Sequence, residues 1–408
     1  MEGIERAAAA LIVNADADLT PNGKTFCDNL TAEQWRVARG KTLTEREIET
    51  AERLADHQHF SDKPHSRQRL YELAKMARLG NAMTSDTDLS EVVAGLRADV
   101  ADGVNVPSAF SMLGACSIAG GSYELGAYYF NKSNQITARN SCITAFMSLS
   151  RAVPSLSIFD CSIGYSRANE LCFEGKPVSF RGGPVSVVAG NSVYINRFIE
   201  NYARSIASNS SGAFSGVHVH WVRDEGEDEH AIMAAMSAAR AHGVDINQTT
   251  ETLNGVFDKK SYYAQSRFLI ARRLLDFYQK PLMITDLDFQ LCASPRNAIA
   301  KLELIDVSFL QHKACSVMWA FPWLRSMAGS VWVNNTAKGR EFCRLIEHGF
   351  YSCFNPAWFN WGIDQNLLTS VLEYMRNGAG LNFASMTDVS SCALFEVPVE
   401  LKAGVKSM

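Results

Sequence analysis

Residues 281–291 read PLMITDLDFQL. Pro281 opens the run, and Leu282, Met283 and Ile284 are the residues a buried strand uses. Asp286 and Asp288 arrive where that strand should end. The same Asp-x-Asp pattern recurs at Asp16, Ala17 and Asp18 and at Asp86, Thr87 and Asp88. Both of those lie in polar, turn-like surroundings, where Asp serves caps and Asx-turns. The apolar strand in front of Asp286 sets the third copy apart.

Working backwards from that strand, the pattern alternates. PVSVVAG (184–190) is a strand and a turn, NSVYINRFIENYARSIASN (191–209) is helical, and GVHVHWV (216–222) alternates as a strand does. DEHAIMAAMSAARAHG (228–243) is a helix ended by Gly243. VDINQTTETL (244–253) is a further strand, and KKSYYAQSRFLIARRLLDFYQ (259–279) is one long helix. Strands alternating with helices imply parallel pairing in a doubly wound sheet. Such sheets bind ligands beyond the carboxyl ends of their strands, and Asp286 and Asp288 lie at such an end. After 292 the pattern loosens. SVWVNN (330–335) reads as a strand and TAKGREFCRLIEHG (336–349) as a helix closed by Gly349. FNPAWFNWGIDQNLLTSVLEYMRNG (354–378) begins as an aromatic loop and becomes a helix.

Residues 1–150 read as a helical domain, and 151–183, punctuated by Gly and Pro, as a linker with short strands. The third domain runs from 184 to 408. Within the first, Phe110, Leu113, Gly114, Gly126, Phe130 and Ser133 fall at the spacing of a tetratricopeptide repeat, a helix pair whose small residues permit close packing. A plain helical hairpin fits the same residues.

The chain has 408 residues, 47% hydrophobic and 20% charged, with a net charge of −4. That composition suits a full core and offers no basic face for nucleic acid. Ten cysteines without paired spacing read as small hydrophobes, as at Cys116, Cys142 and Cys343, in a reducing compartment, hence the cytoplasm. The N-terminal run reads as a short helix and not a secretion signal. No stretch is long and apolar enough to predict a transmembrane segment.

Two carboxylates at a strand end can hold Mn²⁺ or Mg²⁺ through oxygen ligands. Such an ion keeps positions open for phosphate oxygens and neutralises charge on a diphosphate leaving group. The preceding helix supplies Lys259, Lys260 and Arg267, with Arg267 on the same face as Tyr263.

The order of an α/β Rossmann-like half, the basic helix KKSYYAQSRFLIARRLL, PLMITDLDF and later WGIDQNLL resembles the GT-A glycosyltransferases. The resemblance covers about residues 184–392 and is closest to bacterial members with a helical, tetratricopeptide-like N-terminal part. It implies a GT-A mixed sheet flanked by helices, a nucleotide-diphosphate sugar donor, and a glycan, protein or small-molecule acceptor. The helical part would serve acceptor recognition, partner binding or self-association. Asp286 and Asp288 match the pair that binds metal and nucleotide-sugar, and Asp364 and Gln365 the pair on the sugar and acceptor side. Asp364 is the implied catalytic carboxylate, a general base if the reaction inverts configuration and a group that positions the sugar or the acceptor if it retains configuration. Arg267 and Lys260 fall where the diphosphate is contacted, and Asn191 where the base packs. Many members add a late histidine to the metal, but none follows His348 here, so a third ligand, if there is one, is water or another group such as Asp388.

Plainer readings stand beside these. Asp364 also fits the N-cap of its helix, a position where the backbone would hold its pKa low. Lys259, Lys260, Arg272 and Arg273 also fit a solvated helix face. His218 and His220 read as structural, residues 224–229 as a solvated loop, and Trp319, Phe321, Trp323, Trp358, Phe359 and Trp361 mostly as core. A haloacid-dehalogenase-type phosphatase shares the strand ending in Asp-x-Asp, with the first Asp as nucleophile. Its following Gly-Thr is replaced here by Phe289 and Gln290. An interaction scaffold with an inactive transferase domain is the non-enzymatic alternative.

Overall fold

The computed structural model describes residues 64–85, 89–104, 106–136, 153–160, 171–227, 229–253, 259–313, 317–354, 362–378, 380–390 and 393–398. The helices expected before residue 64, Cys142 and the aromatic loop with Trp358, Phe359 and Trp361 lie outside the described residues. The chain divides into two compact units. One holds residues 1–155, 312–324 and 357–359, and the other residues 156–311, 325–356 and 360–408.

The described part of the first unit is helical, with α1 (Pro64–Ser85), α2 (Ser90–Ala101), α3 (Val106–Ala119) and α4 (Tyr123–Ile136). Small residues let α3 and α4 approach closely. A Cβ on Gly126 would run into the Ile118 side chain and come within 3.0 Å of the Gly114 carbonyl oxygen. A Cβ on Gly114 would lie 3.0 Å from the Phe130 ring. Phe130 in turn stands edge-on to Trp323 with centroids 4.9 Å apart. Inside the pair, Ser133 donates to the Pro107 carbonyl at 2.6 Å and accepts from Ser111 at 2.8 Å, so the buried hydroxyls are satisfied.

The second unit is built on a sheet. Its first half runs β1 (Val185–Gly190), α5 (Ser192–Asn209), β2 (Gly216–Asp224), α6 (Glu229–Arg240), β3 (Ile246–Leu253), α7 (Lys259–Leu269), α8 (Ala271–Tyr278) and β4 (Leu282–Thr285). The long helix expected at 259–279 is therefore two helices meeting at Ile270. The chain continues through β5 (Gln290–Leu291), α9 (Arg296–Leu302), β6 (Val307–Gln311), α10 (Pro322–Arg325), of which residues 322–324 belong to the first unit, and β7 (Ser326–Val333). It closes with α11 (Ala337–Cys353), α12 (Ile363–Gly378), β8 (Phe383–Ser385), α13 (Met386–Val389) and β9 (Phe395–Glu396).

Seven strands form one sheet in the order β3-β2-β1-β4-β7-β6-β8, and β5 pairs with β9 separately. The first four are mutually parallel, as the strand–helix alternation predicts. β7 runs antiparallel to both β4 and β6. The result is the mixed α/β sheet flanked by helices, with a helical N-terminal region, that the sequence implies.

Burial explains the strand patterns. All six residues of β1 are buried, as a parallel strand covered on both faces requires. β2 alternates polar and apolar residues, yet its first seven residues are buried. Its histidines are accommodated by hydrogen bonds: His218 meets the Tyr278 hydroxyl at 2.8 Å and Thr249 at 2.9 Å, and His220 meets the same Thr249 at 2.9 Å. Burial holds the His218 pKa well below the ordinary value, so the ring is neutral.

Gly349 does not close its helix, because α11 continues to Cys353. A Cβ there would come within 2.6 Å of Leu367 and 3.0 Å of Phe159. The glycine marks close packing of α11 on α12 and on the 3₁₀ turn at Leu156–Asp160. That turn is tied down further by a 2.9 Å bond between His348 Nε2 and the Ile158 carbonyl.

Candidate functional site

Strand order reverses between β1 and β4, so the carboxyl ends of these two strands flank the switch point where doubly wound sheets bind ligands. Three buried hydroxyls fix the edge: Tyr202 of α5 meets Ser186 of β1 at 2.6 Å and Thr285 of β4 at 2.7 Å. Asp286 follows directly, its N–H donating to the Gly329 carbonyl at 3.0 Å and extending the pairing with β7. Leu287 turns into the core beside Met283 and Trp332. The chain then turns, Phe289 N–H donating to the Asp286 carbonyl at 3.3 Å, and the two carboxylates on either side of Leu287 are both half-buried. Gly329 is required here, because a Cβ would lie 3.2 Å from Asp286 Oδ2 and 2.6 Å from the Phe289 ring.

Arg267 joins this edge to α12. Its guanidinium is buried at 3% exposure. Nη1 donates to Asp286 Oδ1, Nη2 donates to the Ala328 carbonyl at 3.1 Å, and Nη2 makes a longer 3.5 Å contact with Asp364 Oδ2. Its Nε is buried with no partner among the described residues. Burial lowers the Arg267 pKa, and Asp364, Asp288 and Tyr194 oppose that shift.

Asp364 is not the N-cap. α12 begins at Ile363, and Gly362 accepts the first helical bond, from Asn366 N–H at 3.2 Å. Asp364 sits inside the first turn, where its Oδ1 accepts from the Gln365 N–H at 2.9 Å. Nor is its pKa low. Burial raises it, against the lowering pull of Arg267 and the backbone N–H groups.

Tyr194 is a site residue the sequence reading missed. It lies in the first turn of α5, and burial followed by the Asp288 charge pushes its phenol pKa up. The faint signal was Asn191, which caps α5 by accepting from the Tyr194 N–H at 3.0 Å. The Asn191 side chain thus has a structural duty at this edge. Lys260 is exposed in the first turn of α7, two turns before Arg267. In the loop read as solvated, Glu225, Gly226 and Glu229 are exposed as expected, whereas Asp224 pairs with Lys259 at 2.8 Å and accepts from Tyr263 at 3.0 Å, and Glu227 accepts from Ser192.

The cluster offers a divalent cation two carboxylates. Asp286 Oδ2 has no hydrogen-bond partner among the described residues, and Asp288 is half-buried beside it, so oxygen donors suited to Mn²⁺ or Mg²⁺ are present. Among the described residues no group of three or more His, Cys, Asp or Glu is arranged to hold a metal. Asp388 lies exposed in α13. The ion's remaining positions would fall to water and phosphate oxygens.

No described helix is long and apolar enough to cross a membrane. No protein-family model matches the chain, and no curated protein does. Solved structures similar to it include the bifunctional glycosyltransferase WbbM in its apo form. That match has 14% identity and a TM-score of 0.33, covering 48% of this chain and 38% of WbbM. They also include mouse xyloside xylosyltransferase 1, apo form, at 10% identity and a TM-score of 0.31, covering 50% of this chain and 85% of that one.

Proposed function

We propose that the protein is a glycosyltransferase, moving a sugar from a nucleoside-diphosphate sugar to an acceptor hydroxyl at the β1/β4 edge. The observation that carries this reading is the Asp286–Arg267–Asp364 bridge, with Asp288 beside it, at the switch point of the sheet. Burying such charge returns little net stability, so its concentration at a ligand edge favours a functional role. Mn²⁺ or Mg²⁺ held by Asp286 and Asp288 would offset charge on the departing diphosphate. Arg267 and Lys260 contact the phosphates, Gln365 the sugar and Asn191 the base. As the acceptor oxygen bonds to the anomeric carbon, its proton passes to Asp364. The bond from that carbon to the diphosphate oxygen breaks, and its electron pair leaves with the diphosphate. A raised pKa moves Asp364 toward what a general base needs. The N-terminal helices serve acceptor recognition or self-association.

The test is a panel of nucleoside-diphosphate sugars with Mn²⁺, Mg²⁺ or a chelator, read as diphosphate release and thermal stabilisation. One donor class should be hydrolysed with the ion and spared with the chelator. Full turnover in chelator removes the metal role, and no response to any donor removes the transferase reading.

A further inference from the structure

Arg267 occupies ground that a cation would contest. Its Nη1 already holds one Asp286 oxygen, and the guanidinium reaches Asp364 on its other side. The side chain is buried at 3% exposure, and the carbonyl of Ala328 holds its second nitrogen in place. Three carboxylates without it would carry a formal charge of about −3, and with it about −2, so the arginine weakens the pull on a divalent ion as well as covering a ligand oxygen. At the same time its Nε is buried without an acceptor among the described residues, an unmade bond that a buried donor does not hold cheaply.

We propose that Arg267 is an internal counter-cation: it competes with a divalent ion for Asp286, and yields that carboxylate only when phosphate oxygens arrive to accept its N–H groups. The inference rests on the transferase reading for the identity of the arriving anion. The competition with the ion stands apart from it. A planar fork with five donors suits this exchange, because it moves from carboxylate to phosphate without losing its hydrogen-bond partners. Arg267 is thus a positioning residue that couples uptake of the ion to uptake of the diphosphate.

The experiment measures Mn²⁺ binding by electron paramagnetic resonance on the full chain, without nucleotide, for wild type, Arg267→Met and Arg267→Lys. Arg267→Met should bind Mn²⁺ about tenfold more tightly than wild type, whereas Arg267→Lys, which keeps the charge, should stay within about threefold. Equal or weaker binding by Arg267→Met overturns the proposal. If Arg267→Met does not unfold cooperatively in metal-free buffer, its melting is followed against added Mn²⁺. Return of the transition supports the counter-cation role, and no return overturns it. Tighter binding by Arg267→Met together with no response to any nucleoside-diphosphate sugar sinks the transferase reading alone. Ion-dependent turnover in wild type with unchanged affinity in Arg267→Met sinks the counter-cation alone.

Discussion

Asp286 and Asp288 stand one residue apart and carry different obligations. Asp286 balances a buried guanidinium, whereas Asp288 forms no ion pair among the described residues and acts on the Tyr194 phenol through its charge. Asp288→Asn should therefore cut turnover by about 10²-fold or more while leaving the melting temperature nearly unchanged. Asp286→Asn should also cost about 1–2 kcal/mol, less than a fully buried pair because Asp286 is 34% exposed. Paired denaturation and rate measurements check both, and equal stability losses would contradict the assignment. Asp364 makes a prediction in pH. Its folded pKa lies above the ordinary 3.8, so the folded state binds the proton more tightly than the unfolded chain. Its contribution to stability is greatest below 3.8 and declines as pH rises through the folded pKa. The stability of wild type relative to Asp364→Asn should accordingly be larger at pH 3 than at pH 7, as read from melts of both proteins. The two carboxylates and the basic helix were legible because residue type and strand position suffice to single them out. Tyr194 was not, because its reach to Asp288 depends on the phase of α5 against β4. The raised pKa of Asp364 was hidden for a related reason: a helix start can be read from sequence, but its enclosure cannot.

At the scale of elements, glycines separate what local pattern reveals from what packing decides. Gly243, at φ 80°, closes the turn that follows the end of α6 at Arg240, whereas Gly349 lies within α11. The two look alike in sequence, since a helix stop and a close helix contact both select the residue without a side chain. Gly349→Ala should lose about 1 kcal/mol, because overpacking against Leu367 and Phe159 outweighs the gain in helix propensity. Gly126→Ala should lose about 2 kcal/mol, since one obstacle there is a backbone carbonyl that cannot rotate away. Urea unfolding of both variants tests the order, and a stabilised Gly349→Ala would refute the close contact. The parallel strands were legible as apolar runs between helices. β6 and β8 were not, because short strands beside an antiparallel β7 carry little periodicity of their own.

For the whole molecule, the division of the chain bears on where it can be cut. The linker read at 151–183 contains the 3₁₀ turn at Leu156–Asp160, which belongs to the sheet unit through Phe159 and the His348–Ile158 bond. A chain starting at 180 should be less stable than one starting at 153 by about 3 kcal/mol or more, the scale of removing a buried phenylalanine. Thermal melts of the two truncations decide it, and equal melting would release the turn from the unit. The position of β1 also sets a clock. Paired with β2 on one side and β4 on the other, its amide protons exchange with deuterium only when the sheet as a whole opens, while β8 at the rim exchanges by local fraying. A ligand seated at the β1/β4 edge slows that exchange by the factor it adds to folding, so deuterium uptake across β1 measures donor affinity in the absence of any acceptor or turnover.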